Sequence, residues 1–181
     1  MFFLLGFGVF TEVIQFYMQE TSNKNVGFIY HFYNPIEYIL YAFLYLDFYI
    51  STKAKKTLLW SIPIYLIFAI LGSLFVYGIL DGKKDAHNHI IGDPLKVILP
   101  LYYLYELYND DSQESVIILP MFWISVGTMF FFSLVAVFMS IRVELSSLDK
   151  ELERTLHFWL NTVPNYVMYI MYSIGMLWHR Q

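Results

Sequence analysis

The sequence contains no cysteine, and charged residues make up only 14% of it. The absence of cysteine excludes disulfides, thiol catalysis and cysteine-ligated metal sites. Soluble domains carry about 25% charged residues, so the low charge content argues against an ordinary soluble domain. The net charge of −4 provides no basic surface of the kind that binds nucleic acid, and we expect no nucleic-acid partner.

Apolar and aromatic residues are abundant instead, at 58% and 20% of the chain. The charged residues lie in short gaps between long apolar runs, which is typical of polytopic α-helical membrane proteins. No gap is long enough to fold alone. We therefore predict an all-α integral membrane protein with one transmembrane helical domain over residues 1–181.

Six apolar runs predict a bundle of about six transmembrane helices, over residues 1–18, 28–50, 58–80, 94–108, 116–141 and 156–178. The fourth run is short and carries Lys96 and Glu106 near its ends, so it either spans the bilayer or is re-entrant, and spanning is favoured. The first run lacks the basic lead-in and cleavage site of a signal peptide, so we expect it to be retained. The gap 142–155 has leucines at helical spacing and is predicted to prolong helix five or lie on the membrane surface.

The run 28–50 is unusual because it contains Asn34 and Glu37. A continuous helix would place both on one face with tyrosines 30, 41 and 45, and would form an intramembrane site for an ion, a proton or a ligand head group. The alternative is a capping box, in which the helix begins at Pro35. In both interpretations we expect Glu37 to face protein rather than lipid.

Three further polar residues lie inside the predicted spans: Glu12 in the first helix, and Asn161 and Asn165 in the last. Glu12 would be near the middle of the membrane and needs a hydrogen-bond partner, for which the two asparagines are candidates. Pro164 lies between those asparagines, and a tolerated kink is favoured there over a binding site. We expect these side chains to point into one interior with Glu37.

The gap 81–93 is predicted to be a loop, with turn residues at Gly82, Gly92 and Pro94. His87 and His89, with Asp81, Asp85 and Asp93, are weak candidate metal ligands on it, but a hydrated loop is favoured and no metal is predicted. Gly72, Trp123 and Gly127 are predicted to serve helix packing. No catalytic or cofactor-binding motif is present, so we expect no cofactor.

Several segments together resemble small polytopic membrane proteins that are common in Bacteroidetes and have no known activity. These segments are Thr11-Glu12, residues 33–38, the block 120–127 with its Phe-Trp-Ile-x-x-Gly pattern, and Asn161. The resemblance implies a multi-helix bundle in a bacterial inner membrane. Such relatives commonly have one more helix in front, so this chain would begin at their second helix.

Three functions are compatible with these features. The favoured one is a non-enzymatic sensing, signalling or scaffold module, whose partners would be the lipid bilayer and either another membrane protein or a second copy. The alternative is a small transporter or channel component with Glu12 and Glu37 as a proton or cation relay. A second alternative is an intramembrane lipid-modifying enzyme, with Glu37 or Glu12 as acid or base beside His87 and His89.

Overall fold

The computed structural model describes residues 2–22, 29–77, 86–110 and 115–178. These parts of the chain contain helices and short turns but no strand, which confirms the all-α prediction. The α-helices are α1 Phe2–Ser22, α2 Ile29–Phe48, α3 Thr52–Gly72, α4 Ala86–Tyr108, α5 Pro120–Leu148, α6 Lys150–His157 and α7 Val163–Trp178. The helices cluster into two compact units, Met1–Asp47 with Thr52–Gly92, and Phe48–Ser51 with Asp93–Gln181.

The first unit is built around one face of α2. The buried residues of that face follow helical spacing and are mostly polar or aromatic: His31, Asn34, Pro35, Tyr38, Tyr41, Ala42 and Tyr45. The α2 helix runs through Pro35 without a break, so the helix is continuous here and the alternative start at Pro35 is wrong. The intramembrane site that was predicted with the continuous helix stays a prediction. The turn before Pro35 is held by tertiary contacts, since Phe7 stacks on Tyr33 at a ring-centroid distance of 5.5 Å.

The second unit is organised by α5 and α7, which pack closely. A Cβ added at Gly127 would lie 2.9 Å from Met171 Cβ, and one added at Gly175 would lie 2.7 Å from the carbonyl oxygen of Pro120. Only glycine allows this approach. Between α6 and α7 the chain forms a π-helical turn over Phe158–Thr162. Pro164 follows directly, and its missing N–H accounts for the change in hydrogen-bond register.

The predicted loop 81–93 is helical from Ala86 onwards, and α4 includes both Pro94 and Pro100. The loop prediction is therefore wrong for its second half, while residues 81–85 lie outside the described residues. Gly92 and Pro94 suggested a turn, but Gly92 has another role. A Cβ there would overlap the hydroxyl of Tyr65, so the glycine is required by close packing rather than by turn geometry.

The linker between the last two predicted spans is also helical. The α5 helix continues to Leu148, beyond the predicted end, and α6 begins at Lys150. Asp149 separates the two helices and caps α6, because its side chain accepts hydrogen bonds from the N–H groups of Glu151 and Leu152. The Arg142 Nε–Glu153 Oε1 ion pair, at 2.8 Å, links the end of α5 to α6.

Two segments of the described chain are long and apolar enough to cross a membrane, Thr52–Phe75 and Pro120–Arg142. The first combines α3 with the π-helical turn Ser73–Tyr77 that follows it. Both segments qualify by their length and composition, which is weak support for a membrane location. Six membrane-spanning helices are not shown among the described residues.

Candidate functional site

The second unit contains a buried ion pair, formed by two residues of α4. Lys96 Nζ lies 2.9 Å from a carboxylate oxygen of Asp93, and both side chains are only 1% exposed. The same ammonium lies 4.1 Å from the ring centroid of Phe132 on α5, which is a cation–π geometry. We call Asp93, Lys96 and Phe132 the charged centre.

Neither Asp93 nor Lys96 was predicted to be part of a buried ion pair, since Asp93 was placed on the loop 81–93 and Lys96 near one end of the fourth run. In the structure the side chain of Lys96 is 1% exposed, and Asp93 lies inside α4. The available signal was the spacing, since Asp93 and Lys96 are three residues apart on a helix and can pair. The longer α4 also places Lys96 away from the helix terminus.

The charged centre is chemically distinctive because a buried charge is costly unless it is paired and hydrogen-bonded. A carboxylate and an ammonium on one helix neutralise each other locally, and the aromatic face adds attraction to the cation. Asp93 and Lys96 are the titratable groups of the charged centre, and Phe132 contributes only its aromatic face.

The first unit contains a neutral polar cluster on α2. His31 Nδ1 lies 2.8 Å from Ser73 Oγ, and both residues are buried. Asn34, one turn along α2, is 1% exposed, and neither its oxygen nor its nitrogen has a hydrogen-bond partner among the described residues. Ser73 opens the π-helical turn after α3, and such turns are frequent at functional positions.

Glu37 is half-buried rather than buried, so within α2 it is Asn34 that lies in the interior. The carboxylate of Glu37 accepts a hydrogen bond of 2.8 Å from the hydroxyl of Tyr33, four residues earlier on the same helix. Glu12 belongs to α1, but its side chain lies outside the described residues. The predicted relay between Glu12 and Glu37 therefore stays a prediction.

Asn161 and Asn165 are both half-buried, and Pro164 between them is buried. The side-chain nitrogen of Asn161 lies 3.1 Å from His157 Nε2, and the His157 ring packs edge-on against Phe138. Asn161 thus has a local partner on the turn that Pro164 distorts. The choice between a tolerated kink and a binding site at Pro164 stays a prediction.

Of the two histidines among the candidate metal ligands, His89 lies beside Tyr30, with ring centroids 6.0 Å apart. The side chain of His87 lies outside the described residues. Within the described ranges, no group of three or more histidine and acidic side chains is arranged to hold a metal ion.

The predicted packing residues have different surroundings. Gly127 lies against α7, as described above, and Gly72 is buried in α3. Trp123 is half-buried, and its indole nitrogen donates a 2.7 Å hydrogen bond to the carbonyl oxygen of Ile117. Next to Gly127, Thr128 donates to the carbonyl oxygen of Ile124, so the hydroxyl of Tyr172, 2.7 Å away, acts as donor to Thr128.

Glu106 is a second residue that sequence reasoning assigned to a helix end without a role. Its carboxylate accepts hydrogen bonds from the backbone N–H groups of Ile50 and Ser51, at 2.8 and 2.9 Å. Nearby, the hydroxyl of Tyr49 donates to the carbonyl oxygen of Leu99 at 2.9 Å. The segment Phe48–Ser51 is therefore fastened to α4 by polar contacts.

Comparison with known proteins identifies no relative. No protein-family model, no curated protein and no solved structure matches the chain.

Proposed function

We propose that this chain is a multi-pass integral membrane protein that acts as a non-enzymatic sensing, signalling or scaffold module. The observation that carries the membrane part is the exposure of apolar side chains on α3. In its most apolar stretch only 28% of the residues are buried, whereas the core helix of a soluble protein is mostly buried. The outward-facing side chains are large: Trp60, Ile64, Ile67, Ile70, Leu74 and Phe75.

Such a surface is unfavourable in water. Contiguous exposed apolar patches of this kind mark an interaction with a membrane or another protein. On α5 the corresponding stretch is 39% buried, so most of its residues are also outside the interior. A bilayer is the partner that covers both helices without requiring a specific surface on each.

The further proposal of six spans depends on α4. With 23 residues, α4 would be roughly 34 Å long at the helical rise, which exceeds the hydrocarbon thickness of about 30 Å. Its charged pair is buried and neutral overall, which supports its passage through the bilayer.

The test is membrane topology by cysteine labelling, which is clean because the chain has no cysteine of its own. Single substitutions Thr52→Cys, Ser115→Cys and Ser147→Cys occupy exposed positions outside the ends of α2 and α4 and near the end of α5. An impermeant maleimide is added to inverted and right-side-out vesicles. Six spans require Thr52→Cys and Ser115→Cys to label from one side and Ser147→Cys from the other.

The alternatives give different patterns. If only α3 and α5 span, Thr52→Cys and Ser147→Cys label from the same side and Ser115→Cys from the opposite one. Equal labelling of all three variants from both sides, before and after permeabilisation with detergent, would contradict a membrane-spanning protein altogether. Labelling in detergent serves as the control for reactivity.

The non-enzymatic role is supported by how the polar side chains are used. Several of them join one helix to another: Tyr38 with Ser61, His31 with Ser73, and Thr128 with Tyr172. Polar contacts of this kind specify helix packing. A module that senses or scaffolds needs a specified packing and does not need a catalytic group.

A second candidate is a transporter or channel component, and the charged centre favours it because a buried ion pair is a recurrent element of proton and cation pathways. The test measures proton and cation flux in proteoliposomes for the wild type, Glu37→Gln and the double variant Asp93→Asn/Lys96→Met. The double variant removes both charges together, so no single charge is left buried. Flux that only the double variant abolishes would support transport through the charged centre, while flux that Glu37→Gln abolishes would support the relay. The absence of flux in all three would leave the sensing or scaffold role.

A further inference from the structure

One end of α3 combines basic, hydroxyl and aromatic side chains on a single exposed face. They line an open groove of about 530 Å³ formed by Lys53, Lys56, Thr57, Trp60, Ser61 and Ile64. This volume is in the range of small-molecule sites. All of these residues except Ser61 are exposed, and Trp60 is 65% exposed.

The groove attracts anions because of its lysines. The first turns of α3 carry Lys53, Lys55 and Lys56, and no Asp or Glu occurs between residues 48 and 80. The start of α3 is not counted in this attraction, because the carboxylate of Glu106 already accepts hydrogen bonds from the N–H groups of Ile50 and Ser51 just before it. The lysine side chains therefore carry the preference for an anionic ligand.

The groove continues into an apolar surface. Beyond Trp60, the exposed residues of α3 on the way to Phe75 are aliphatic. The distance from Lys56 to Phe75 is roughly 28 Å at the helical rise, which is close to the hydrocarbon thickness of a bilayer. Tryptophan and lysine at one end of such a span are typical of the membrane–water interface.

Only one of the two hydroxyl groups in the groove is available to a ligand. Ser61 donates to the carbonyl oxygen of Leu58 at 2.7 Å, so it accepts from the hydroxyl of Tyr38, 2.6 Å away. Ser61 is therefore part of the helix packing. Thr57, one turn before it and exposed, is the hydroxyl that can donate to a ligand.

We infer that this groove is a binding site for an anionic phospholipid. The phosphate lies among Lys53, Lys56 and Thr57, the indole of Trp60 lies at the level of the glycerol backbone, and the acyl chains follow the aliphatic face that begins at Ile64. A lipid fits better than a free phosphate because charge and apolar surface are continuous. This inference rests on the proposed membrane location, and it adds a lipid class and the residues that select it.

The test uses Trp60 as a local reporter. The variant Trp123→Phe/Trp159→Phe/Trp178→Phe leaves Trp60 as the single tryptophan, and it is reconstituted into nanodiscs of phosphatidylcholine and phosphatidylglycerol. The minor lipid is brominated near the glycerol end of its acyl chains, and bromine quenches nearby indole fluorescence. We expect brominated phosphatidylglycerol to be enriched next to Trp60 roughly thirtyfold over brominated phosphatidylcholine at equal bulk fraction, because each of the two lysines near the surface contributes about a fivefold preference.

The substitution Lys53→Gln/Lys56→Gln should reduce this preference to a few-fold at most, because it removes the two lysines that line the groove and leaves only Lys55 nearby. The charge-preserving Lys53→Arg/Lys56→Arg and the distant Lys150→Gln are matched controls and should retain it. A preference of undiminished size in Lys53→Gln/Lys56→Gln would overturn the assignment to these lysines.

The remaining quenching results distinguish failure of the lipid-site proposal from failure of the proposed membrane location. Equal quenching by both brominated lipids in every variant would overturn the lipid site and leave the membrane proposal intact. No quenching by either lipid would overturn both. If the single-tryptophan variant does not fold, native mass spectrometry of the otherwise unmodified chain gives the same contrast. Phosphatidylglycerol should then be retained over phosphatidylcholine more strongly in wild type than in Lys53→Gln/Lys56→Gln, and equal retention in both would overturn the site.

Discussion

The two compact units satisfy their buried polar groups in different ways. In the first unit the buried polar groups among the described residues include the paired side chains of His31 and Ser73, and the amide of Asn34, which has no hydrogen-bond partner among those residues. In the second unit the ion pair of Asp93 and Lys96 is buried on α4, and the carboxylate of Glu106 accepts hydrogen bonds from two backbone N–H groups. Because charged hydrogen bonds are stronger than neutral ones, the energetic cost of a polar substitution should differ between the units.

The largest effect is expected at the charged centre. Lys96→Met leaves the Asp93 carboxylate buried without its cation, and breaking a buried pair in this way costs about 3–5 kcal/mol. The measurement is a denaturant titration of the purified chain in detergent, with the free energy of unfolding compared between variant and wild type.

The matched control for this substitution is the double variant Asp93→Asn/Lys96→Met. It removes both charges, so most of the lost free energy of unfolding should return. A double variant as unstable as the single one would show that the ion pair is not the source of the loss.

A smaller loss of stability is expected when the carboxylate of Glu106, which accepts hydrogen bonds from two backbone N–H groups, is replaced. Glu106→Gln keeps the shape of the side chain but replaces one accepting oxygen with a donor, so one of the hydrogen bonds from Ile50 and Ser51 is lost. Hydrogen bonds to charged groups contribute about 1.5–3 kcal/mol, and the half-buried position of Glu106 favours the lower value. The denaturant titration in detergent measures this change in the free energy of unfolding. A change below about 0.5 kcal/mol, the range of ordinary surface substitutions, would mean that this contact does not stabilise the fold.

Removal of a hydrogen bond between two uncharged hydroxyl groups should lower the free energy of unfolding by less than the Glu106 substitution does, and by the same amount in both units. Tyr172→Phe and Tyr38→Phe each remove a hydroxyl that donates to a hydroxyl already engaged elsewhere. Each should lower the free energy of unfolding by about 0.5–1 kcal/mol. Tyr166→Phe is the control, because Tyr166 is 63% exposed and should show no change. A clear difference between Tyr172→Phe and Tyr38→Phe would mean that the units differ by more than charge.

The smallest effect, with the opposite sign, is expected at Asn34. Replacing a buried amide that has no partner with a leucine of similar size removes a desolvation penalty and adds apolar contact. Asn34→Leu should therefore leave the free energy of unfolding unchanged or raise it by about 1 kcal/mol. A loss of more than about 2 kcal/mol would show that the amide is hydrogen-bonded in the folded protein.

The sequence predicted the helical fold well because the signal is local. Apolar runs between polar gaps are visible without knowledge of contacts, and the structure has a helix at each of the six runs. One prediction failed at a proline. Pro94 suggested a helix start, yet it lies inside α4, and at Pro35 the sequence left open a start that the structure excludes. The ring removes one hydrogen bond, and tertiary contacts of the preceding turn outweigh that loss.

The candidate site was less predictable because burial is not local. Asn34 and Glu37 are three residues apart in one apolar run, and periodicity places them on neighbouring positions of one face. Only packing decides that Asn34 is buried and Glu37 half-buried beside Tyr33. Asp93 and Lys96 were overlooked for the same reason, since a charge near a predicted helix end is ordinarily solvated.

The sequence by itself determined the composition of the helices, their approximate ends and the apolar surface that suits a bilayer, because these follow from the order of apolar and polar residues. The tertiary structure alone decided which polar side chains are enclosed and what each one meets. Pairing of Lys96 with Asp93 beneath Phe132 depends on how α5 approaches α4. Hydrophobicity is a property of each residue, whereas desolvation and hydrogen bonding depend on neighbours that the chain brings together only on folding.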